Sequence, residues 1–366
     1  MRVLMISKIC VIGAYQKKLE ELARLEDIQL AVVVPPYWRE GRSRLKLERE
    51  HVRGYELCIE PMAFNGQFHI HFYPFLWRRF RQVRPDIVHI DEEPYNLATW
   101  QAMRLAERFG AKRLFFTWQN LLRRYPFPFR VLEQHNLSHA DYALAGNAEA
   151  VGVLRAKGYA GPAAVIPQFG VDPEIYHPLP ERRSSPRGEL RIAYLGRLVP
   201  EKGVDVLLRA AAQLGGDWQL QIVGGGPELG KLQGLAQELG IAERVNFQPR
   251  VSASQVVDYL NRCDALVLPS LTQPNWKEQF GRVLIEAMAC QTPVIGSNSG
   301  EIPNVIGDAG MVFPEGDASA LAACLERLRA DPALREKLGA QGRARVLDSY
   351  TQARIAAQTA EVYHQL

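Results

Sequence analysis

Two Rossmann-like domains of the α/β class, each a doubly wound parallel sheet, are what the sequence predicts. Three observations carry the prediction. The 366 residues exceed the roughly 150 of an average domain. Short β-branched and apolar runs alternate with helix-like stretches, the pattern of parallel βαβ units. These alternations come in two successive series, with a stretch of linker composition between them.

The first series runs through RVLMIS (2–7), IQLAVVVP (28–35), DIVHI (86–90), AKRLFFTW (111–118) and DYALAGN (141–147). The second begins at LRIAYLGRL (190–198) and continues through WQLQIVGGG (218–226), RVNFQPRV (244–251), DALVLPS (264–270), TPVIGSN (292–298) and GMVFP (310–314). Domains are therefore expected over 1–176 and 190–349. The intervening HPLPERRSSPRGE (177–189) is rich in Pro, Ser and charge without apolar periodicity, which marks a linker. Residues 38–56 are densely charged with few apolar positions, and a mobile loop with some helix is expected there. After the last strand the apolar spacing is helical, broken at Asp331-Pro332, and 350–366 reads as one more helix.

Composition narrows the function. With 47% hydrophobic and 23% charged residues the chain sits inside globular norms. A net charge of +4 is low for a nucleic-acid binder, so no nucleic-acid partner is expected. The excess lies in the first half, where residues 1–180 hold 24 basic and 19 acidic side chains. That half is the face for an anionic partner such as a phospholipid surface, unless the charge is simply solvated. Five scattered cysteines without a CxxC pair argue for a reducing compartment and against structural zinc. No apolar run approaches a membrane span and the start runs straight into a strand, so the expectation is a cytoplasmic protein, at most peripheral on the inner face of the membrane.

Chemistry concentrates in two segments. Gly196-Arg197-Leu198-Val199-Pro200-Glu201-Lys202-Gly203 places two cations around a turn at the carboxyl end of a strand, where α/β sheets bind phosphorylated ligands. In Glu278-Gln279-Phe280-Gly281-Arg282-Val283-Leu284-Ile285-Glu286-Ala287, Gly281 precedes a helix whose amino terminus favours phosphate. Glu278 lies in the loop before that helix and Glu286 about two turns along it. The two carboxylates bracket the phosphate site, one placed to accept from sugar hydroxyls and the other from a ribose.

The set GRLVPEKG, IVGGGP, VLPS, EQFGRVLIEA and TPVIGSNSGEIPNVI resembles the donor-binding half of the family 4 retaining glycosyltransferases, which have the GT-B fold. The likeness is specific across about 190–317 and extends through PQFGVDPEIYHP (167–178). It implies an acceptor domain first and a nucleotide-sugar donor domain second, the two facing a central cleft, with a final helix 350–366 packing back on the first. It implies a nucleotide sugar, UDP- or GDP-linked, whose hexosyl group passes to a carbohydrate or lipid-linked acceptor with retention, without metal or organic cofactor. By the resemblance Arg197 and Lys202 hold the diphosphate, aided by the helix near Gly281 with Phe280, Arg282 and Val283. Glu278 contacts the donor sugar and Glu286 the ribose. Gly13 in the first loop lets backbone approach the donor phosphates, and Arg250-Val251 lie near the base. No enzyme nucleophile is implied: the acceptor hydroxyl attacks on the face the diphosphate vacates. Glu278 is therefore not a nucleophile of the glycosidase kind.

Three departures stand out. Where many relatives carry a histidine after the strand matching LFFTW, this chain reads Thr117-Trp118-Gln119-Asn120. Gln119 or Asn120 can hydrogen-bond a sugar but is no general base. The GGIPE region reads Ser299-Gly300-Glu301-Ile302-Pro303-Asn304, and Gln279 stands where glycine is common. For the acceptor, Trp118, Gln119 and Asn120 join Glu92 or Glu93 of the Asp91-Glu92-Glu93-Pro94-Tyr95-Asn96 loop, which otherwise reads as an exposed acidic loop. The segments 76–81 and 121–130 interleave apolar and cationic residues, a composition suited to a membrane surface or to an arginine-rich core edge.

Other classes fit less well. Gly224-Gly225-Gly226 does not continue into GxGxxG, because position 229 is Leu. No Asp-x-Asp metal site of a GT-A transferase follows a strand, and no lysine has the setting of a pyridoxal cofactor. No histidine group forms a metal constellation. A nucleotide-sugar-binding protein or membrane scaffold of the same fold without transfer activity is the alternative.

Overall fold

The computed structural model describes residues 1–41, 43–179, 181 and 189–366. The chain forms two compact units, Met1–Phe169 with Gln352–Leu366, and Gly170–Thr351. In chain order the strands are β1 (Arg2–Ile6), β2 (Gln29–Val34), β3 (Tyr37–Glu40), β4 (Ser43–Lys46), β5 (Glu56–Ile59), β6 (Ile87–Ile90), β7 (Lys112–Thr117), β8 (Tyr142–Ala145), β9 (Ala163–Val165), β10 (Leu190–Leu195), β11 (Trp218–Val223), β12 (Val245–Gln248), β13 (Ala265–Leu268), β14 (Val294–Ser297) and β15 (Met311–Phe313).

The first unit holds a parallel sheet of order β5-β2-β1-β6-β7-β8-β9. Its central strands are buried on both faces, which explains why they read as largely apolar runs. The second unit holds a parallel sheet of order β12-β11-β10-β13-β14-β15. In each sheet the order reverses beside the unit's first strand, between β1 and β6 and between β10 and β13. Such a reversal opens a crevice beyond the carboxyl ends of the strands, where α/β sheets bind their ligands. The two doubly wound parallel sheets are the predicted fold class.

The helix Gln352–His364 belongs to the first unit and packs on the helix Lys17–Ala23. Its Ile355, Ala360, Val362 and Tyr363 share one core with Val3, Leu19 and Val32. Fully burying such side chains stabilises by about 1.5–3 kcal/mol each. The Tyr363 hydroxyl shares a 2.6 Å hydrogen bond with Nδ1 of the buried His89 on β6. Residues 170–179 go with the second unit: Val171 donates to the Tyr350 carbonyl at 2.9 Å, and Leu179 N–H to Asn261 Oδ1 at 2.7 Å. Of the stretch 177–189 read as a linker, Pro180 and 182–188 lie outside the described residues.

Residues 38–56 correct the sequence reading, which expected a loop with some helix. They contain β4 and most of β3, an antiparallel hairpin turning at Gly41 (φ +58°), and no helix among the described residues. With most of its side chains in solvent the ribbon needs no apolar alternation, so periodicity gave no sign of it.

Candidate functional site

In the second unit the site grows from the carboxyl ends of β10 and β13. Gly196 and Arg197 follow β10, and the Tyr194 hydroxyl donates to the Arg197 carbonyl at 2.7 Å, fixing the turn. A single 3-10 turn, Pro200–Lys202, then presents Lys202. Its Nζ lies 2.5 Å from Glu278 Oε2 and 4.8 Å from the centre of the Trp276 ring. Ser270 Oγ, two residues past β13, donates to the same oxygen at 2.9 Å. Both members of the pair are nearly buried, with side chains 14% and 10% exposed. The Arg197 guanidinium, 67% exposed, stands 3.8 Å from Glu201, a distance at which a surface pair contributes little.

Glu278 is held by its backbone as well. Its carbonyl accepts from Glu301 N–H at 3.1 Å, and Gly300 (φ +54°) lies against it so closely that a Cβ there would collide with that carbonyl oxygen. The changed Ser299-Gly300-Glu301 region thus keeps a glycine where the chain presses on the candidate sugar-binding loop. Gly281 caps the helix Arg282–Ala289 at φ +76°, with Leu268 Cδ2 2.8 Å from where its Cβ would be. Phe280 is buried edge-on to Tyr350 at 5.8 Å, Arg282 and Val283 are half-buried, and Gln279 is exposed. Glu286 is the fifth residue of this helix, so it lies about 6 Å along, slightly more than one turn rather than two. It is ion-paired with Arg282, whose Nε lies 2.8 Å away, and it accepts from the Tyr176 hydroxyl. Burial pushes its carboxyl up, against the pull of Arg282 and Tyr176. Arg250 is exposed and Val251 half-buried in the loop after β12.

In the first unit, polar side chains gather beyond β1, β6 and β7. Glu92 is buried and ion-paired with Lys8, whose Nζ also lies 4.4 Å over the Phe68 ring. His71 Nε2 is 3.5 Å from the other oxygen of Glu92, and Asn96 Nδ2 donates to the carboxylate at 3.2 Å. Burial alone would raise this carboxyl, but Lys8 and His71 outweigh it and hold Glu92 down to about 2. Its neighbour Glu93 accepts from Thr117 Oγ1 at 2.6 Å and from Trp118 N–H at 2.8 Å. Burial pushes Glu93 the other way, up to about 7. The adjacent carboxyls are therefore shifted in opposite directions, because Lys8 pairs directly with Glu92 while the direct partners of Glu93 are neutral donors.

Gln119 Oε1 accepts from Lys157 Nζ at 2.9 Å, and its amide donates to the Tyr125 hydroxyl at 3.2 Å. Asn120 is buried beside it. Trp118 Nε1 donates to Gln168 Oε1 at 2.7 Å, and Gln168 in turn donates to Asp91 at 2.8 Å. Gly13 is already occupied: its N–H donates to Glu48 Oε2 at 2.7 Å, and the Glu50 side chain packs where a Cβ would stand. Gln16 straps this segment down, donating to the carbonyls of Cys10 and Glu48. Lys8, His71, Lys157 and Gln168 escaped the sequence reading. Only Lys8 carried a signal, since it stands two residues beyond β1 as Arg197 does beyond β10. Among the described residues, no group of three or more His, Cys, Asp or Glu could hold a metal ion, and no helix is long and apolar enough to cross a membrane.

Known proteins resemble this chain in sequence and fold. The family "Glycosyl transferases group 1" matches residues 179–345. A GDP-mannose-dependent alpha-(1-6)-phosphatidylinositol monomannoside mannosyltransferase of Mycolicibacterium smegmatis is 34% identical over 217 residues, 55% of this chain and 57% of its own. A D-inositol 3-phosphate glycosyltransferase of Mycobacterium marinum is 34% identical over 230 residues, 59% of this chain and 47% of its own. The chain spans about half the length of the curated relatives it matches. Among solved structures, Anabaena Alr3699/HepE in complex with UDP and glucose has the same fold, with a TM-score of 0.71 at 19% identity over 100% of each chain. The two Rossmann-like sheets and this likeness make the fold GT-B, and residues 179–345 match the group 1 glycosyl transferases.

Proposed function

We propose that the protein is a retaining glycosyltransferase that moves a hexosyl group from a UDP- or GDP-linked sugar to a hydroxyl of a carbohydrate or lipid-linked acceptor, without metal. The observation that carries this reading is the Lys202–Glu278–Ser270 cluster beside the Gly281-capped helix, with Arg197 on the neighbouring turn. Lys202 and Arg197 supply fixed positive charge for the diphosphate as it leaves, and the helix amino terminus adds its N–H groups. Glu278 accepts from hydroxyls of the sugar and Glu286 from those of the ribose. The acceptor hydroxyl attacks on the face the diphosphate leaves, and a phosphate oxygen takes its proton. Phe280, Arg282 and Val283 shape the donor pocket, Arg250 and Val251 flank the base, and Gly13 meets the donor phosphates.

On this reading 190–349 is the donor domain and 1–176 the acceptor domain. Glu93, with Trp118, Gln119 and Asn120, orients the acceptor, while Glu92 fixes the loop through Lys8. Glu93, raised to about 7, is mostly neutral below that pH and can then donate a hydrogen bond to a hydroxyl oxygen. The names of the relatives, one using GDP-mannose and a phosphatidylinositol mannoside, favour a polyol or lipid-linked acceptor. The free thiols of all five cysteines fit a cytoplasmic setting.

Calorimetric titration with UDP, GDP, ADP and their sugar conjugates, with and without magnesium, tests the reading. One nucleotide class should bind without metal, and product analysis with that donor should reveal transfer or slow donor hydrolysis. Binding without either outcome would favour a non-catalytic scaffold, and absence of binding would refute the site.

A further inference from the structure

We propose that the first unit carries a docking surface for an anionic phospholipid bilayer, built from residues 62–83 and 121–131. The two segments lie far apart in sequence yet meet in space, because His69 packs on Tyr125 at 5.8 Å and on Phe129 at 5.0 Å. Neither segment contains a single Asp or Glu. Both leave large apolar side chains in solvent: Phe127 is 84% exposed, Leu122 60% and Phe64 59%, with Phe75 and Trp77 following at 40%. Isolated exposed apolar residues are ordinary, but a joined set of this size marks an interaction surface.

The cations are interleaved with the apolar groups rather than set apart from them. Arg78 stacks over Phe75 at 4.5 Å, and Arg81 over Trp77 at 4.9 Å, on the helix Leu76–Val83. Arg123, Arg124 and Arg130 are exposed around Leu122 and Phe127. Next to this helix, Trp77, Arg81, Leu105, Arg108 and Phe109 line an open cavity of about 550 Å³. Its two arginines and apolar walls suit a lipid phosphate above the start of an acyl chain. An acidic protein would pair with the arginines but would leave Phe127 and Leu122 without a hydrocarbon to enter. A bilayer of anionic headgroups over acyl chains accommodates both. The proposal stands apart from the transfer reading, since binding to lipid and binding to nucleotide sugar are measured separately.

The test is co-sedimentation of the full chain with vesicles of phosphatidylcholine alone and of phosphatidylcholine with 30 mol% phosphatidylglycerol, a composition set on the order of an anionic inner leaflet. Binding is expected to the anionic vesicles only and to weaken as salt rises. Arg78→Gln with Arg81→Gln should weaken it about 30-fold, from about 1 kcal/mol per cation near such a surface. Leu122→Ser with Phe127→Ser should reduce it further, with nucleotide-sugar titration unchanged as evidence that the fold survives. Equal binding to neutral vesicles, binding indifferent to these substitutions, or no binding by folded protein would overturn the proposal. So would sedimentation equilibrium in lipid-free buffer showing a dimer that Phe127→Ser abolishes, because the surface would then serve a second copy of this chain.

Discussion

Two ionisable groups in the first unit titrate in opposite senses, and their balance can be undone one residue at a time. Burial depresses His89 from 6.5 to about 3, so the folded chain refuses a proton that the unfolded chain accepts. Its contribution to stability is whole above pH 6.5 and is lost as pH falls toward 3. Glu93, raised from 4.5 to about 7 chiefly by burial, behaves in reverse. Its contribution is whole below pH 4.5 and is lost as pH rises through 7. Between pH 6.5 and 4.5 each accounts for one proton, about 1.4 kcal/mol per pH unit, and the two slopes have opposite signs. Half-titration at the edges leaves about 2 kcal/mol for each across the window. Glu93→Gln should therefore lose about 2 kcal/mol relative to the parent between pH 6.5 and 4.5, and His89→Gln should gain about as much. The double variant should run parallel to the parent. Urea unfolding at five pH values in 0.1 M salt measures this, and other titrating groups cancel in the comparison. Parallel curves for Glu93→Gln and the parent would refute the assignment of a neutral carboxyl beside Trp118.

In the second unit, Lys202→Met removes the cation beside the nearly buried Glu278 carboxylate and should cost roughly 3 kcal/mol in urea unfolding. Adding Glu278→Gln should restore most of that stability but not the nucleotide-sugar affinity, expected to fall at least about 10-fold with one charge-assisted hydrogen bond. Gly300→Ala forces a Cβ toward the Glu278 carbonyl at positive φ and should lower thermal stability by roughly 2 kcal/mol or more, readable in a melting curve. Glu48→Gln weakens the carboxylate's hold on the Gly13 N–H and should tighten donor binding about 5-fold in calorimetry, the gain of replacing a charged acceptor by a neutral one. Unchanged or weaker binding would place Gly13 away from the donor phosphates.

Much of this molecule is legible in its sequence, and the reason differs by element. The strands β1, β6, β10 and β13 are buried on both faces, so each is a short run of apolar residues that local pattern alone reveals. The candidate site of the second unit was readable because Arg197, Lys202, Glu278, Gly281 and Glu286 sit in two short segments, each fixed by its own turn or helix start. Nothing in the spacing of Lys202 and Glu278 states that they touch, 76 residues apart. The first unit was harder, since its polar network is assembled from Lys8, His71, Glu92, Lys157 and Gln168, contributed by separate loops. Glu92 and Glu93 look interchangeable in sequence, and only long-range partners give them different charge. The β3–β4 hairpin was missed for the opposite reason, as its pairing is local but no apolar face betrays it.

The return of residues 352–366 to the first unit bears on how the protein is made. Ile355, Ala360 and Tyr363 complete a core whose other members, from Val3 to Ile166, have left the ribosome some two hundred residues earlier. Through that interval the first unit lacks the helix that covers Leu19 and Leu22, and His89 lacks the hydroxyl of Tyr363. The second unit, by contrast, is continuous from Gly170 to Thr351 and has all its strands before the closing helix is synthesised. The domain that begins first is therefore the one that finishes last, and until then the nascent chain carries an open apolar seam, the kind of transiently exposed surface that aggregates.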